Sequence, residues 1–426
     1  MAIKIDKKYL KVLKGLGFTA LILLVWRIAY HIQIPMLFNI GASESLFGFL
    51  DVFSGGALSQ YSIVALGVSP YITSSIVVQL LQMDIVPALK EWSEEGETGR
   101  KKINTVVKYG ALLLAFIQAL TVTVGIIIYY GDIFEVGVTP NLFIYVYLAL
   151  IMTAGTAFTL WMAEKITLHG IGNGTSMFIV AGIVASFPKM INDLIARFIT
   201  SGSTSGWEVV KFYIVLLIMI LIIMVIVYME GAQRKIPIQY ANRPSSASFR
   251  GKNDSNIPIK LNTANVIPVI FASTLMSIPA TILRFVDSNN GFTYWLGETF
   301  DYTSPIGYVL YIVLIILFAF FYAYVQLKPD RVAENLQNQN AYIPGVKPGV
   351  ETSNYVARVL FKITVIGALY LALVASLPIW MSKIFDLPHS VTVGGTSLII
   401  VVGVATETFK QIRQSLQADE YKGFLD

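Results

Sequence analysis

An all-α polytopic membrane protein with ten transmembrane helices is expected from three properties of this chain. It is apolar: 55% of its 426 residues are hydrophobic and 13% are charged, with a mean hydropathy of +0.66, where a soluble chain carries about 25% charge. Its apolar residues gather into about ten long segments, and a bilayer core about 30 Å thick takes roughly 20 residues per helix, so ten spans use about half the chain. Its basic residues fall in every second gap between segments. Of 31 Lys and Arg, 25 lie on one side, only Lys189, Arg197, Lys211, Arg284 and Lys383 on the other, and Arg27 inside the first segment. Basic residues near span ends stay on the cytoplasmic side, so both termini are expected there and the number of spans is even.

Span one runs from about Leu16 to Ile34 and stops at Pro35. Its Lys-rich start leads into a long apolar run without a small-residue cleavage site, so it reads as a retained helix and not as a signal peptide. The stretch from Met36 to Gly67 is too polar and Gly-rich to span, yet it carries Leu46, Phe47, Phe49, Leu50, Phe53 and Leu58. Two readings stay open for it: an external loop packed on the helix ends, or a re-entrant segment shielded by protein. If re-entrant, residues 51–56 start a short helix.

Span two opens near Val68-Ser69-Pro70-Tyr71, with proline in the first turn where its missing amide costs little, and ends near Met83. The stretch from Lys90 to Lys108 reads as a solvated hairpin. Span three follows at about Val106 to Tyr129, and span four at about Leu142 to Ala163. Span five starts after Gly170-Ile171-Gly172-Asn173-Gly174 and ends near Pro188. Span six is placed at about Val209 to Tyr228, seven at Ala264 to Leu283, eight at Ile306 to Leu327, nine at Ile363 to Ile384 and ten at Val393 to Phe409. Division into residues 1–205 and 206–426 puts five spans in each half. Five is odd, so repeated halves would face opposite ways across the membrane and share a site at their interface. The connections at about 230–262 and 328–354 are longer than tight helix connections, and both are polar, with turn signals at Arg243-Pro244, Pro344-Gly345 and Pro348-Gly349.

The chemistry that is missing narrows the function. The chain has no cysteine, which removes disulfides, thiolate catalysis and Cys-ligated metals. Histidines 31, 169 and 389 are too far apart for a local metal pattern, and no cofactor is expected. The net charge of +5 follows membrane side and does not form an Arg-rich face with stacking aromatics, which argues against nucleic-acid recognition. The Gly170 to Gly174 run lacks the preceding strand and the Lys-Ser/Thr of a phosphate loop, so it reads as a tight turn. Arg27, about a turn from His31, is expected to snorkel outward or to pair. Glu407 is expected at a solvated helix end. An ion-coupled carrier generally needs ionisable groups near the midplane, and the spans instead hold neutral Ser74, Ser75, Gln79, Ser273, Thr274 and Ser277.

At Pro70-Tyr71-Ile72-Thr73-Ser74-Ser75-Ile76-Val77-Val78-Gln79-Leu80-Leu81-Gln82-Met83 the chain resembles the SecY family, the central subunits of the bacterial protein-translocation channel. Further matches are Ser54-Gly55-Gly56-Ala57-Leu58, the Gly170 to Gly174 turn, Gln233-Arg234-Lys235-Ile236-Pro237, residues 266–274, residues 343–349 and Gly394-Gly395-Thr396-Ser397-Leu398. They run in order along nearly the whole chain.

The resemblance implies two inverted five-helix halves, hinged between spans five and six and opening between spans two and seven, with a re-entrant plug helix at about 53–66. It assigns a pore ring to Val68, Ile72, Thr175, Ile179, Ile270 and Ile400, and plug residues Phe53, Ser54, Gly55, Gly56, Leu58 and Tyr61. Lateral-gate positions are Ser74, Ser75, Gln79, Thr274 and Ser277. Docking of the SecA motor or the ribosome falls to Arg234, Lys235, Arg243, Arg250 and Lys347. It implies SecE-like and SecG-like small subunits, signal peptides, nascent polypeptide and membrane lipid as partners, no catalysis, and a place in the bacterial cytoplasmic membrane. Lys347 stands where the family usually has Arg, keeping the charge but losing the planar fork, and Thr175 stands where the ring is usually aliphatic. These departures keep an accessory channel for few substrates beside the general one. A secondary transporter with inverted repeats is the competing class.

Overall fold

The computed structural model describes residues 7–35, 54–58, 60–82, 85–130, 141–200, 206–240, 255–284, 291–301 and 304–422. A helix stands at each of the ten expected positions: Lys7–Tyr30, Ser69–Leu81, Glu97–Tyr130, Leu142–His169, Gly174–Ile195, Gly206–Gly231, Ile267–Arg284, Pro305–Gln326, Val350–Phe385 and His389–Lys422. They keep the names span one to span ten. Among the described residues, seven are long and apolar enough to cross a membrane, and span seven adds a shorter apolar run, Ile267–Ser277. Span two has 13 residues, about 20 Å of helix at 1.5 Å per residue. That is shorter than the hydrocarbon core, which suits a helix surrounded by protein.

Several boundaries differ from the sequence-based expectation. The expected hairpin between Lys90 and Lys108 is instead a short helix, Pro87–Glu94, followed by a span three that already begins at Glu97. Span nine likewise starts at Val350 and span ten continues to Lys422. Hydropathy registers only the lipid-buried part of a helix, whereas Glu, Lys and Arg continue it into water because they are good helix formers. Span five passes through Pro188 to Ile195 and then runs into a single π-helical stretch, Ala196–Thr200. Proline is tolerated inside membrane helices where neighbouring groups satisfy the freed carbonyls.

The spans form a ring in the order two, three, four, five, ten, nine, eight, seven, each packed on the next. Five and ten join extensively, while seven meets two over a much smaller contact. Span one lies against four and ten, and span six against ten and nine. With no gain from burying apolar surface out of lipid, such packing rests on close van der Waals contact. The alanines along span three show it: Ala111, Ala115 and Ala119 are fully buried.

The connections at 230–262 and 328–354 are not simply solvated loops. Strand β1 (Gln233–Pro237) pairs antiparallel with β3 (Asn256–Lys260), and β2 (Gln239–Tyr240) pairs with β4 (Ala341–Tyr342), which ties the two connections together. A helix, Pro329–Asn338, covers them. Ile236, Ile238, Ile259, Leu336, Ala341 and Ile343 form a small core with Val356 and Ile363 of span nine. Ile236 and Ile238, two positions apart, turn inward on either side of exposed Pro237, while Arg234 and Lys235 before them are exposed.

Candidate functional site

One large apolar cluster joins spans one, two and four to ten with the segment before span two. Val68 at the start of span two, Ile179 and Ile183 on span five, Ile270 on span seven and Ile400 on span ten are all buried in it, and Ile72 packs against it partly buried. Four elements distant in sequence therefore contribute aliphatic side chains to the same cluster. Thr175 sits at the start of span five, where Asn173 caps the helix: the Thr175 amide and hydroxyl both donate to Asn173 Oδ1, at 3.1 and 2.8 Å. Ile183, one turn beyond Ile179 and fully buried, was not singled out from the sequence. Periodicity along an all-apolar helix gives no signal by which one isoleucine stands out.

The segment before span two reaches this cluster from one side. Among its described residues, 54–58 and 60–68 are turns and not helix, so the expected short helix is not seen there; Phe53 lies outside the described residues. The Ser54 hydroxyl accepts from the Leu58 amide at 3.2 Å. Gly55 has φ +70°, and a Cβ there would lie 3.0 Å from Gly182 Cα on span five; a side chain would be both strained and obstructed. Ala57 and Val64 join the central cluster, while Leu58, Tyr61, Ala65 and Leu66 enter a second cluster with Ile34 and spans three and four. At Gly155 of span four a Cβ would fall 1.9 Å from the Ile63 carbonyl oxygen, so backbone meets backbone here.

The polar residues on spans two and seven separate into two groups. Ser74 is turned to span three, where its hydroxyl donates to the Val107 carbonyl at 2.8 Å; it is not placed toward span seven. Ser75 and Gln79 are half-buried and bonded to each other, Gln79 Nε2 to Ser75 Oγ at 3.1 Å. On span seven, Thr274 is buried and its carbonyl accepts from Ser277 Oγ at 3.0 Å. Ser273 is paired with Tyr311 of span eight at 3.2 Å. The polar side chains on spans two and seven are thus neutral, and these hydrogen bonds run within each span or to spans three and eight. Arg27 stacks 4.0 Å over the Tyr30 ring, a cation–π contact that shelters its charge within span one.

Arg234 and Lys235 are exposed on β1, opposite Ile259 and Pro258 of β3. Lys347 is open too, with a side chain 85% exposed and its Nζ 3.9 Å from Glu351. It lies in the turn between β4 and span nine, so the pairing of β2 with β4 brings it into the same small domain as Arg234 and Lys235. Arg243 and Arg250 lie outside the described residues.

A ring of membrane helices around an aliphatic centre, filled on one side by a folded-in segment, defines a multi-pass α-helical membrane protein of the channel type. The SecY family model matches residues 62–409. The protein translocase subunit SecY of Halalkalibacterium halodurans is 43% identical over 413 residues, covering 96% of this chain and 95% of that protein. The chain belongs to the SecY family. Its fold is similar to the solved structure of a protein-conducting channel, at TM-score 0.66 and 18% identity, covering 95% of this chain and 92% of the other. It is also similar to Sec61 in the canine ribosome–channel complex from the endoplasmic reticulum, at TM-score 0.61 and 17% identity over 95% and 92% of the two chains.

Proposed function

We infer that this protein is a protein-conducting channel that passes unfolded polypeptide through the centre of the ring and releases apolar segments sideways between spans two and seven. The observation that carries this reading is the meeting of Val68, Ile72, Ile179, Ile270 and Ile400 in one cluster that the plug segment enters through Ala57 and Val64. Aliphatic side chains pack around an extended chain of any sequence, and a dry constriction opposes ion flow when no chain is present. Ile183, one turn beyond Ile179 in the same cluster, is a further candidate for this ring.

The two halves are residues 1–205 and 206–426. In support, the packing order two–three–four–five recurs as seven–eight–nine–ten, the relation expected of repeated units. The narrow contact of spans two and seven is the lateral gate, and its side chains are Ser75, Gln79, Thr274 and Ser277. Through it a segment partitions into lipid, a step favoured by each Leu or Ile and opposed by each charge. The π-helical stretch Ala196–Thr200 lies at the hinge, in keeping with the frequency of such turns at functional sites.

The channel works in the bacterial cytoplasmic membrane with both termini in the cytoplasm, beside SecE-like and SecG-like small subunits. Arg234, Lys235, Arg243, Arg250 and Lys347 dock the ribosome and the SecA motor, where basic groups meet RNA phosphate or acidic protein surface. Complementation of cells depleted of SecY, scored for export of many precursors, tests this function. Export of most of them is the expected result. Export of a few only points to an accessory channel, and saturable small-solute uptake without export overturns the reading.

A further inference from the structure

The turn leading into span seven is held by a buried carboxylate that none of the roles above uses. Glu230, near the end of span six, is 4% exposed, and its Oε1 accepts from Asn262 Nδ2 at 2.8 Å. Asn262 itself is 3% exposed and lies between β3 and span seven. The same Nδ2 donates to the Asn265 carbonyl at 3.0 Å, and Asn265 has φ +51°, a left-handed conformation that asparagine tolerates better than most residues. Lys410 of span ten donates from Nζ to the Glu230 carbonyl at 3.1 Å. Lys260 adds a second positive charge nearby, and Glu407 an opposing one. The turn is also pressed from outside: a Cβ on Gly403 of span ten would meet Val266 Cγ1 at 2.6 Å.

Burying a carboxylate is costly unless it is paired and hydrogen-bonded, so the arrangement must hold something in place. Its bonds converge on the four residues that set where span seven begins and in which direction it leaves. We propose that Glu230, Asn262 and Lys410 form a polar latch that fixes the resting position of span seven against spans six and ten, and thereby sets how strong a signal is needed to part it from span two. They act as positioning residues, touching no substrate. The inference rests on spans two and seven being the gate.

The test uses the full chain expressed in cells with its partner subunits, and measures export of a precursor whose signal segment has been deleted. Glu230→Ala and Asn262→Ala should each raise that export by about tenfold, the ratio equivalent to losing one hydrogen bond to a charged group from the closed state. Glu230→Gln keeps an oxygen acceptor for Asn262 and should stay within about twofold of the parent, since a neutral hydrogen bond remains. Lys410→Met leaves the buried pair intact and should give a smaller rise; it serves if Glu230→Ala does not accumulate. No rise in any variant that accumulates normally would overturn the latch, as would Glu230→Gln behaving like Glu230→Ala. A Gln79→Cys, Ser277→Cys pair bridged by a bifunctional thiol reagent separates the two ideas. If the bridge stops export while the latch variants match the parent, the latch alone fails; if the bridge leaves export untouched, the gate reading fails and the latch with it.

Discussion

The Ile34 amide donates to the Tyr61 carbonyl at 3.0 Å, and the Ile63 amide donates to the Ile32 carbonyl at 3.0 Å. With Gln33 bridged to Ser62, the end of span one and the later part of the plug segment make a short antiparallel pairing. The plug is thus divided into a later part, paired with the end of span one, and an earlier part, 54–58, that approaches Trp26, Tyr30 and span five. Removal of residues 54–58 should leave the protein folded and raise resting ion current in planar bilayers. Removal of 60–68 should instead prevent accumulation, because it strips the backbone partners of Ile32 and Ile34.

Gly155→Ala drives a methyl group into the Ile63 carbonyl, which must shift. Overpacking of this kind costs about 1–3 kcal/mol. Lower thermal stability of the purified protein, together with a raised resting current, is expected. A variant as tight and as stable as the parent would show that the plug does not press on span four.

Ile400→Asn puts an amide at a fully buried position of the central cluster. An unsatisfied buried polar group costs about 1–3 kcal/mol, and water entering to satisfy it removes the dry barrier. Resting conductance should increase, and the same substitution at Ile183 should act similarly, whereas Thr175→Asn should have little effect. Patch or planar-bilayer recording distinguishes the three.

Ser74→Ala removes the bond to Val107 and should lower stability by about 1 kcal/mol. It should not change how well weak signal segments are released into lipid. Gln79→Leu should change that release, measured by the insertion efficiency of a series of segments of graded hydropathy.

Arg234→Ala with Lys235→Ala, and separately Lys347→Ala, should weaken binding of the motor or ribosome, each exposed charge contributing about 0.2–1 kcal/mol. The losses should shrink as salt is raised, because exposed charges are screened. Binding at two ionic strengths checks this.

The helical class and the position of each span were legible because hydropathy and the side preference of Lys and Arg act on every segment independently. Aliphatic residues at Val68, Ile179, Ile270 and Ile400 were reachable only through family resemblance, since each alone is one apolar residue among many on its helix. The partner of Ser74 was not legible either: a hydroxyl on span two can bond whichever neighbour offers a carbonyl, and here it donates to Val107 of span three. The pairing of β2 with β4 left no trace in the sequence because two-residue strands have no readable period. Likewise nothing in a lone Glu230 at a helix end told it from a solvated charge until Asn262 was seen against it.

The central claim is that polypeptide passes through the aliphatic centre of the ring. The chain has no cysteine, so single cysteines at Ile179, Ile270, Ile400 and, as a control on the outer face of span nine, Leu373 can each be challenged with a thiol-reactive probe on a precursor stalled in transit. Crosslinks at the first three positions and none at Leu373, which is 60% exposed, are the result expected. Crosslinks absent from all three central positions while the precursor is still exported would contradict the account.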